Sequence, residues 1–160
     1  MDPDCEVASW FWGYAGVFFA MLFSCWGSAY GIAKAGVGVV SGGLMSPKQI
    51  IKLSLPVILA GVLGIFGLIT SIIIVIKIDD TVYAYKNAYA HLAAGICTGV
   101  SSFAAGVAIG NAGEAGSRAC AKNERLFTAL LLCLVFGEAL AIFGLLVSLI
   151  LSVTQSAACP

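Results

Sequence analysis

A single carboxylate, Glu138, interrupts an otherwise apolar run from Leu126 to Val153. It stands twelve residues past Leu126, which at about 1.5 Å per residue is roughly 18 Å along a helix, near the middle of a hydrocarbon layer ~30 Å thick. An ionised acid there costs about 2.5–3.5 kcal/mol even on the lenient insertion scale. Lipid therefore favours the neutral acid, and water or a cation favours the carboxylate. A side chain that changes charge with its surroundings is a reversible proton carrier. The bland alternative, a Glu satisfied by polar neighbours, lacks the neighbours: Leu134, Phe136, Gly137, Ala139 and Ala141 surround it in its own run. The matching turns of the second apolar run hold Gly61, Gly64, Ile65 and Phe66. Sodium needs several oxygen ligands, so this site fits a proton better.

The other reactive side chains carry less. His91 falls near the start of the third apolar run, where an interfacial polar residue is expected rather than a relay. Lys34, Glu114 and Arg118 fall at the ends of apolar runs and are expected to form a solvated or partner-facing rim. Cys25, Cys97 and Cys133 lie inside apolar runs as small hydrophobes, whereas Cys5, Cys120 and Cys159 lie near water. Cys5 and Cys159 share one side of the membrane, where pairing is open to them. No Walker loop, metal-ligand spacing or nucleophile elbow is present, so no metal, no cofactor and no catalytic residue of a covalent or hydrolytic kind is expected.

The elements that must hold Glu138 follow from composition. The 160 residues are 61% hydrophobic and 10% charged, with 19 glycines and a mean hydropathy of +1.03. One water-facing core cannot absorb that apolar surplus. Four stretches are long and apolar enough to span a bilayer, at about 10–33, 53–76, 88–113 and 126–153, which predicts an all-α membrane protein. Eight basic residues balance eight acidic ones, leaving no excess to attract nucleic acid. Asp2, Asp4 and Glu6 stand where a signal sequence would be basic, so no cleavable leader is expected. Lys34, Lys48 and Lys52 in the first connection and Arg118, Lys122 and Arg125 in the third face only Lys77 and Lys86 in the second. The positive-inside rule then puts the first and third connections in the cytosol and both termini in a lumen or outside the cell.

The two halves, 1–80 and 81–160, read as duplicated helical hairpins. Ile65-Phe66-Gly67-Leu68 recurs 77 residues later as Ile142-Phe143-Gly144-Leu145, and the same shift pairs Lys48 with Arg125 and Ala35-Gly36 with Ala112-Gly113. In this register Glu138 corresponds to Gly61, so only the second hairpin carries the carboxylate. Spans one and three share a direction, which makes these parallel repeats about an axis along the membrane normal. Small residues recur on one face of span one (Gly16, Ala20, Ser24, Ser28, Gly31, Ala35) and of span three (Ala94, Thr98, Ser102, Gly106, Gly110). Such stripes let helix backbones approach closely in lipid. Spans one and three are therefore expected inside, with spans two and four outside, either as a compact four-helix monomer or as a unit repeated around a ring.

Three segments carry a family resemblance. Ser28-Ala29-Tyr30-Gly31-Ile32-Ala33-Lys34-Ala35-Gly36-Val37-Gly38, Ala108-Ile109-Gly110-Asn111-Ala112-Gly113-Glu114-Ala115-Gly116-Ser117-Arg118 with Arg125-Leu126-Phe127, and Phe136-Gly137-Glu138-Ala139-Leu140-Ala141-Ile142-Phe143-Gly144-Leu145 resemble the proteolipid, or c-subunit, family of vacuolar-type proton-pumping ATPases. The resemblance implies a c-ring of c-type subunits amid membrane lipids, with Glu138 as its proton carrier. That ring would turn against the a-subunit and meet the d-subunit of the central stalk through loops one and three, in a vacuole, lysosome, endosome or other acidic organelle. ATP hydrolysis would belong to other subunits. Relatives often have Tyr at Phe66 and Phe143, Thr at Ile32, Ser at Ala35, hydrophobic residues at Asn111 and Ala112, Asp at Glu114 and Pro at Glu124. Phe66 thus lacks a hydroxyl that could donate to Glu138. Two other classes stand beside this one: a small four-helix proton-coupled multidrug antiporter, and a tetraspan scaffold in which Glu138 is dispensable. Antiporters of that kind are shorter, carry Glu in the first helix and lack a duplication.

Overall fold

The structure is a computed structural model that describes residues 3–78, 83 and 85–154, with side chains from Ser9 onward. The described residues form helices: α1 (Pro3–Met45), a 3-10 turn (Pro47–Gln49), the single turn α2 (Ile50–Leu53), α3 (Leu55–Ile78), α4 (Tyr85–Lys122), a second 3-10 turn (Glu124–Leu126) and α5 (Phe127–Val153). Four of these helices are long and apolar enough to cross a membrane.

The two turns show how the repeat is punctuated. Ser46 is extended, with φ −145° and ψ 78°, as the residue before a proline must be, and Pro47 opens the 3-10 turn at a position where no N–H is needed. The position 77 residues later is Asn123, which is also extended at φ −143° and ψ 103° although no proline follows it. There the Asn123 side chain accepts the backbone N–H of Arg125 at 3.2 Å. Two different local chemistries therefore make the same corner.

α1 and α4 are longer than their apolar stretches. Hydropathy marks 10–33 and 88–113, but the helices continue to Met45 and Lys122. At 43 residues, α1 is about 65 Å long, twice a hydrocarbon core. Hydropathy reports where lipid ends, whereas helix continues as long as a packed face and internal hydrogen bonds persist. Lys34, Glu114 and Arg118 consequently lie inside continuous helix rather than at helix ends.

The largest contact in the molecule joins α1 to α4, across the two hairpins. Both small-residue stripes are buried, Gly16, Gly31 and Ala35 against α4 and Ala20, Ser24 and Ser28 against the glycines of α3. A Cβ added at Gly95 would land on the Gly16 carbonyl, and one at Gly106 on the Gly27 carbonyl. A Cβ at Gly38 would stand 2.6 Å from the Glu114 Cα. Here backbones meet without side chains between them, as small residues in lipid permit. α3 and α5 pack outside this pair and touch each other less, presenting Ile, Leu, Val and Phe outward. One apolar core (Leu53, Ala60, Leu63, Ala105, Ile109, Leu134) lies toward the two turns, and a second (Ile74, Ile78, Tyr83, Ala88, Ala94) lies at the opposite end.

Candidate functional site

Glu138 occupies the buried row of α5, in the sequence Leu130, Leu134, Gly137, Glu138, Ala141, Gly144, Ser148 and Ser152. The residue is 8% exposed. Leu134 and Ala141, one turn before and one turn after, belong to the core shared with Ala60, Leu63, Ala105 and Ile109, and Phe66 packs against that core. Neither carboxyl oxygen has a hydrogen-bond partner. The apolar surroundings read from sequence are thus present in three dimensions, with the carboxyl drawn into the chain's own bundle. An unpaired buried carboxylate is costly, so this environment is made for the neutral acid.

Toward the end opposite the turns, the interior becomes polar. Thr70 of α3 meets Thr98 of α4 at 3.1 Å and Ser148 of α5 at 3.4 Å. Ser71 donates to the Val17 carbonyl of α1 at 3.3 Å. Ser24 and Ser102 are fully buried, and their hydroxyls have no partner. Thr98 belonged to a stripe visible in the sequence, but Thr70 and Ser148 were single hydroxyls in apolar runs, and nothing marked them as a junction.

His91 stands near the start of α4, as its sequence position requires, and is enclosed there. It is 1% exposed, its Nδ1 lies 2.6 Å from the Tyr83 hydroxyl, their rings stack, and the Ser152 backbone hydrogen-bonds it. Burial pushes the Tyr83 phenol up to about 12. Trp10 meets Tyr83 edge-on, and the imidazole thereby fastens α1, α4 and α5 at one end.

At the other end Glu114 is shared by two bases. Lys34 Nζ reaches its Oε2 at 3.4 Å and Arg118 its Oε1 at 2.8 Å, while Arg118 Nε donates to Ser41 Oγ at 3.1 Å. The three residues expected as a solvated rim keep partly exposed side chains and also tie α1 to α4. Lys52 and Glu124 link the two turns at 2.6 Å. Cys120, expected near water, is buried, whereas Cys25 and Cys133 are exposed on the apolar surface. The pairing of Cys5 with Cys159 lies outside the described residues. Among the described residues no three His, Cys, Asp or Glu side chains converge.

The ATP synthase C-subunit family model matches the chain twice, over residues 15–74 and 92–151. The chain belongs to that family. Each boundary of the second match lies 77 residues after the first, the shift at which the sequence repeats itself, so each hairpin is one copy of the family's unit and the chain carries it twice. The V-type proton ATPase 16 kDa proteolipid subunit of Entamoeba dispar is 39% identical over 155 residues, covering 97% of this chain and 88% of that protein. The V-type proton ATPase 16 kDa proteolipid c-subunit of Homo sapiens is 44% identical over 147 residues, covering 92% and 94%. With four apolar helices long enough to span, this family member is an integral membrane protein.

Proposed function

We propose that the chain is a ring-forming c-subunit in the membrane sector of a proton-translocating, vacuolar-type rotary ATPase, with Glu138 as the group that carries the proton. The observation that carries this reading is one carboxyl, near mid-membrane, enclosed in apolar packing with no partner for either oxygen, on the second copy of the unit that defines the family. Neutral, the acid crosses the lipid arc at little cost; ionised, it must meet water or a cation. Rotation past the a-subunit supplies that alternation, taking a proton from the cytosolic side and releasing it to the lumen of an acidic organelle. The basic first and third connections face the cytosol and the d-subunit, and the termini face the lumen. The halves 1–80 and 81–160 act as one scaffold hairpin and one carrier hairpin. No observation favours the antiporter, whose carboxylate would stand in the first helix of an unduplicated chain.

The test is Glu138→Gln, which is near in size and cannot titrate. Ring assembly is expected to persist, while ATP-driven acidification, read by quenching of a pH-sensitive dye in sealed vesicles, disappears. A Gln variant that still acidifies would overturn the role of Glu138.

A further inference from the structure

Two apolar grooves open at the end of the bundle that carries the turns. One, of about 400 Å³, is lined by Val39, Val40, Gly43, Leu44, Pro47 and Ile50. The other, of about 310 Å³, includes Gly116, Cys120, Leu126 and Leu130 in its lining. The 77-residue shift carries Val39 onto Gly116 and Gly43 onto Cys120, so the grooves share two equivalent wall positions, while the rest of each lining is its own. Each has a base beside it in the chain: Lys48 stands in the turn between Pro47 and Ile50, and Arg125 directly precedes Leu126. These two bases are themselves equivalents under the shift. Both are exposed, as is Lys122. The acids at this end are already engaged, Glu114 by Lys34 and Arg118 and Glu124 by Lys52. Lys48, Lys122 and Arg125 have no ion-pair partner among the described residues.

An apolar slot at the edge of a membrane span with an unneutralised cation beside it is complementary to one kind of molecule, an amphiphile with a negative head. We propose that each groove holds an anionic phospholipid, its acyl chain along the slot and its phosphate at Lys48 in the first hairpin and at Arg125 in the second. Either groove alone would be an ordinary furrow between side chains. Slot and base occurring together twice, with two wall positions and the base itself equivalent under the shift, is what distinguishes them.

The test uses the full-length chain in its native assembly, reconstituted into phosphatidylcholine bilayers with spin-labelled phosphatidylserine or phosphatidylcholine as probe. Phosphatidylserine is expected to be enriched in the motionally restricted population by about fivefold, the factor that one basic side chain near an anionic head supplies. Lys48→Gln with Arg125→Gln brings the ratio to parity, and Gly43→Leu, which fills the first slot and leaves every charge, removes the first hairpin's share. Lys77→Gln, at the opposite end, leaves the enrichment unchanged, as does millimolar inorganic phosphate. Enrichment that survives the double charge variant, that is undiminished by the filled slot, or that free phosphate abolishes, would sink the proposal. So would its absence from the native assembly, which would mean that a protein surface covers the grooves. Because the double Gln variant can fail to assemble, Lys48→Arg with Arg125→Lys is measured beside it. That exchange preserves charge and must keep the enrichment, and its loss also overturns the site.

Discussion

Buried oxygen atoms in this protein divide into those with partners and those without, and the division sorts their roles. Thr98 shares a hydroxyl hydrogen bond with Thr70, which also meets Ser148, whereas Ser102 is equally enclosed and bonds to nothing. Interhelical hydrogen bonds in lipid are worth about 0.6 kcal/mol on average and up to ~1.7. Thr98→Val is expected to cost stability in that range, while Ser102→Ala, with no bond to lose, costs nothing or stabilises. Equilibrium unfolding in mixed detergent micelles measures both; equal costs would show that the junction contributes no bond energy. Glu138 belongs with Ser102 by geometry, and its unpartnered state suits the proton carrier proposed above. Glu138→Asp keeps a titratable acid in the same turn while shortening its reach, so partial acidification is expected where Glu138→Gln gives none, scored in the same dye assay.

Among the helices, the α1–α4 contact is specific to the point of single atoms. A side chain at Gly106 would overlap the Gly27 carbonyl, whereas nothing stands within 4 Å of a Cβ at Gly61. Gly106→Val is expected to force the helices apart and abolish assembly, and Gly61→Ala to be accepted with assembly intact, as native gel migration would show. Gly61 is also the repeat equivalent of Glu138, so its tolerance checks that the first hairpin's site is vacant of chemistry. The close approach was legible in the sequence, because small residues every fourth position can do little else in lipid. The spans and the duplication were legible for the same reason: apolar length and a fixed offset are one-dimensional signals. The helix ends were not. Lys34, Glu114 and Arg118 look in sequence like the polar margin of a span, and only the backbone, helical to Met45 and to Lys122, shows that the helix runs through them. The bonding of His91 was not legible because its partner Tyr83 lies in the connection, where sequence offers no spacing rule.

For the molecule as a whole, the dominant interface runs between hairpins rather than within either one. Co-expressed fragments 1–80 and 81–160 are accordingly expected to copurify from membranes, and Gly106→Val in the second fragment to break the association; fragments that fail to find each other would show that the covalent link, not the glycine contact, holds the halves together. That contact has a mechanical side as well. α1 extends about twice the thickness of the hydrocarbon layer, and it touches α4 backbone to backbone at Gly16, Gly27 and Gly38, with Glu114 clamping both helices beyond the lipid. Two rods joined at intervals resist bending and shear far better than two rods cushioned by flexible side chains. A sideways load applied to the carrier hairpin would be transmitted along this double shaft with little wind-up, arriving at the turns as displacement rather than being absorbed as strain.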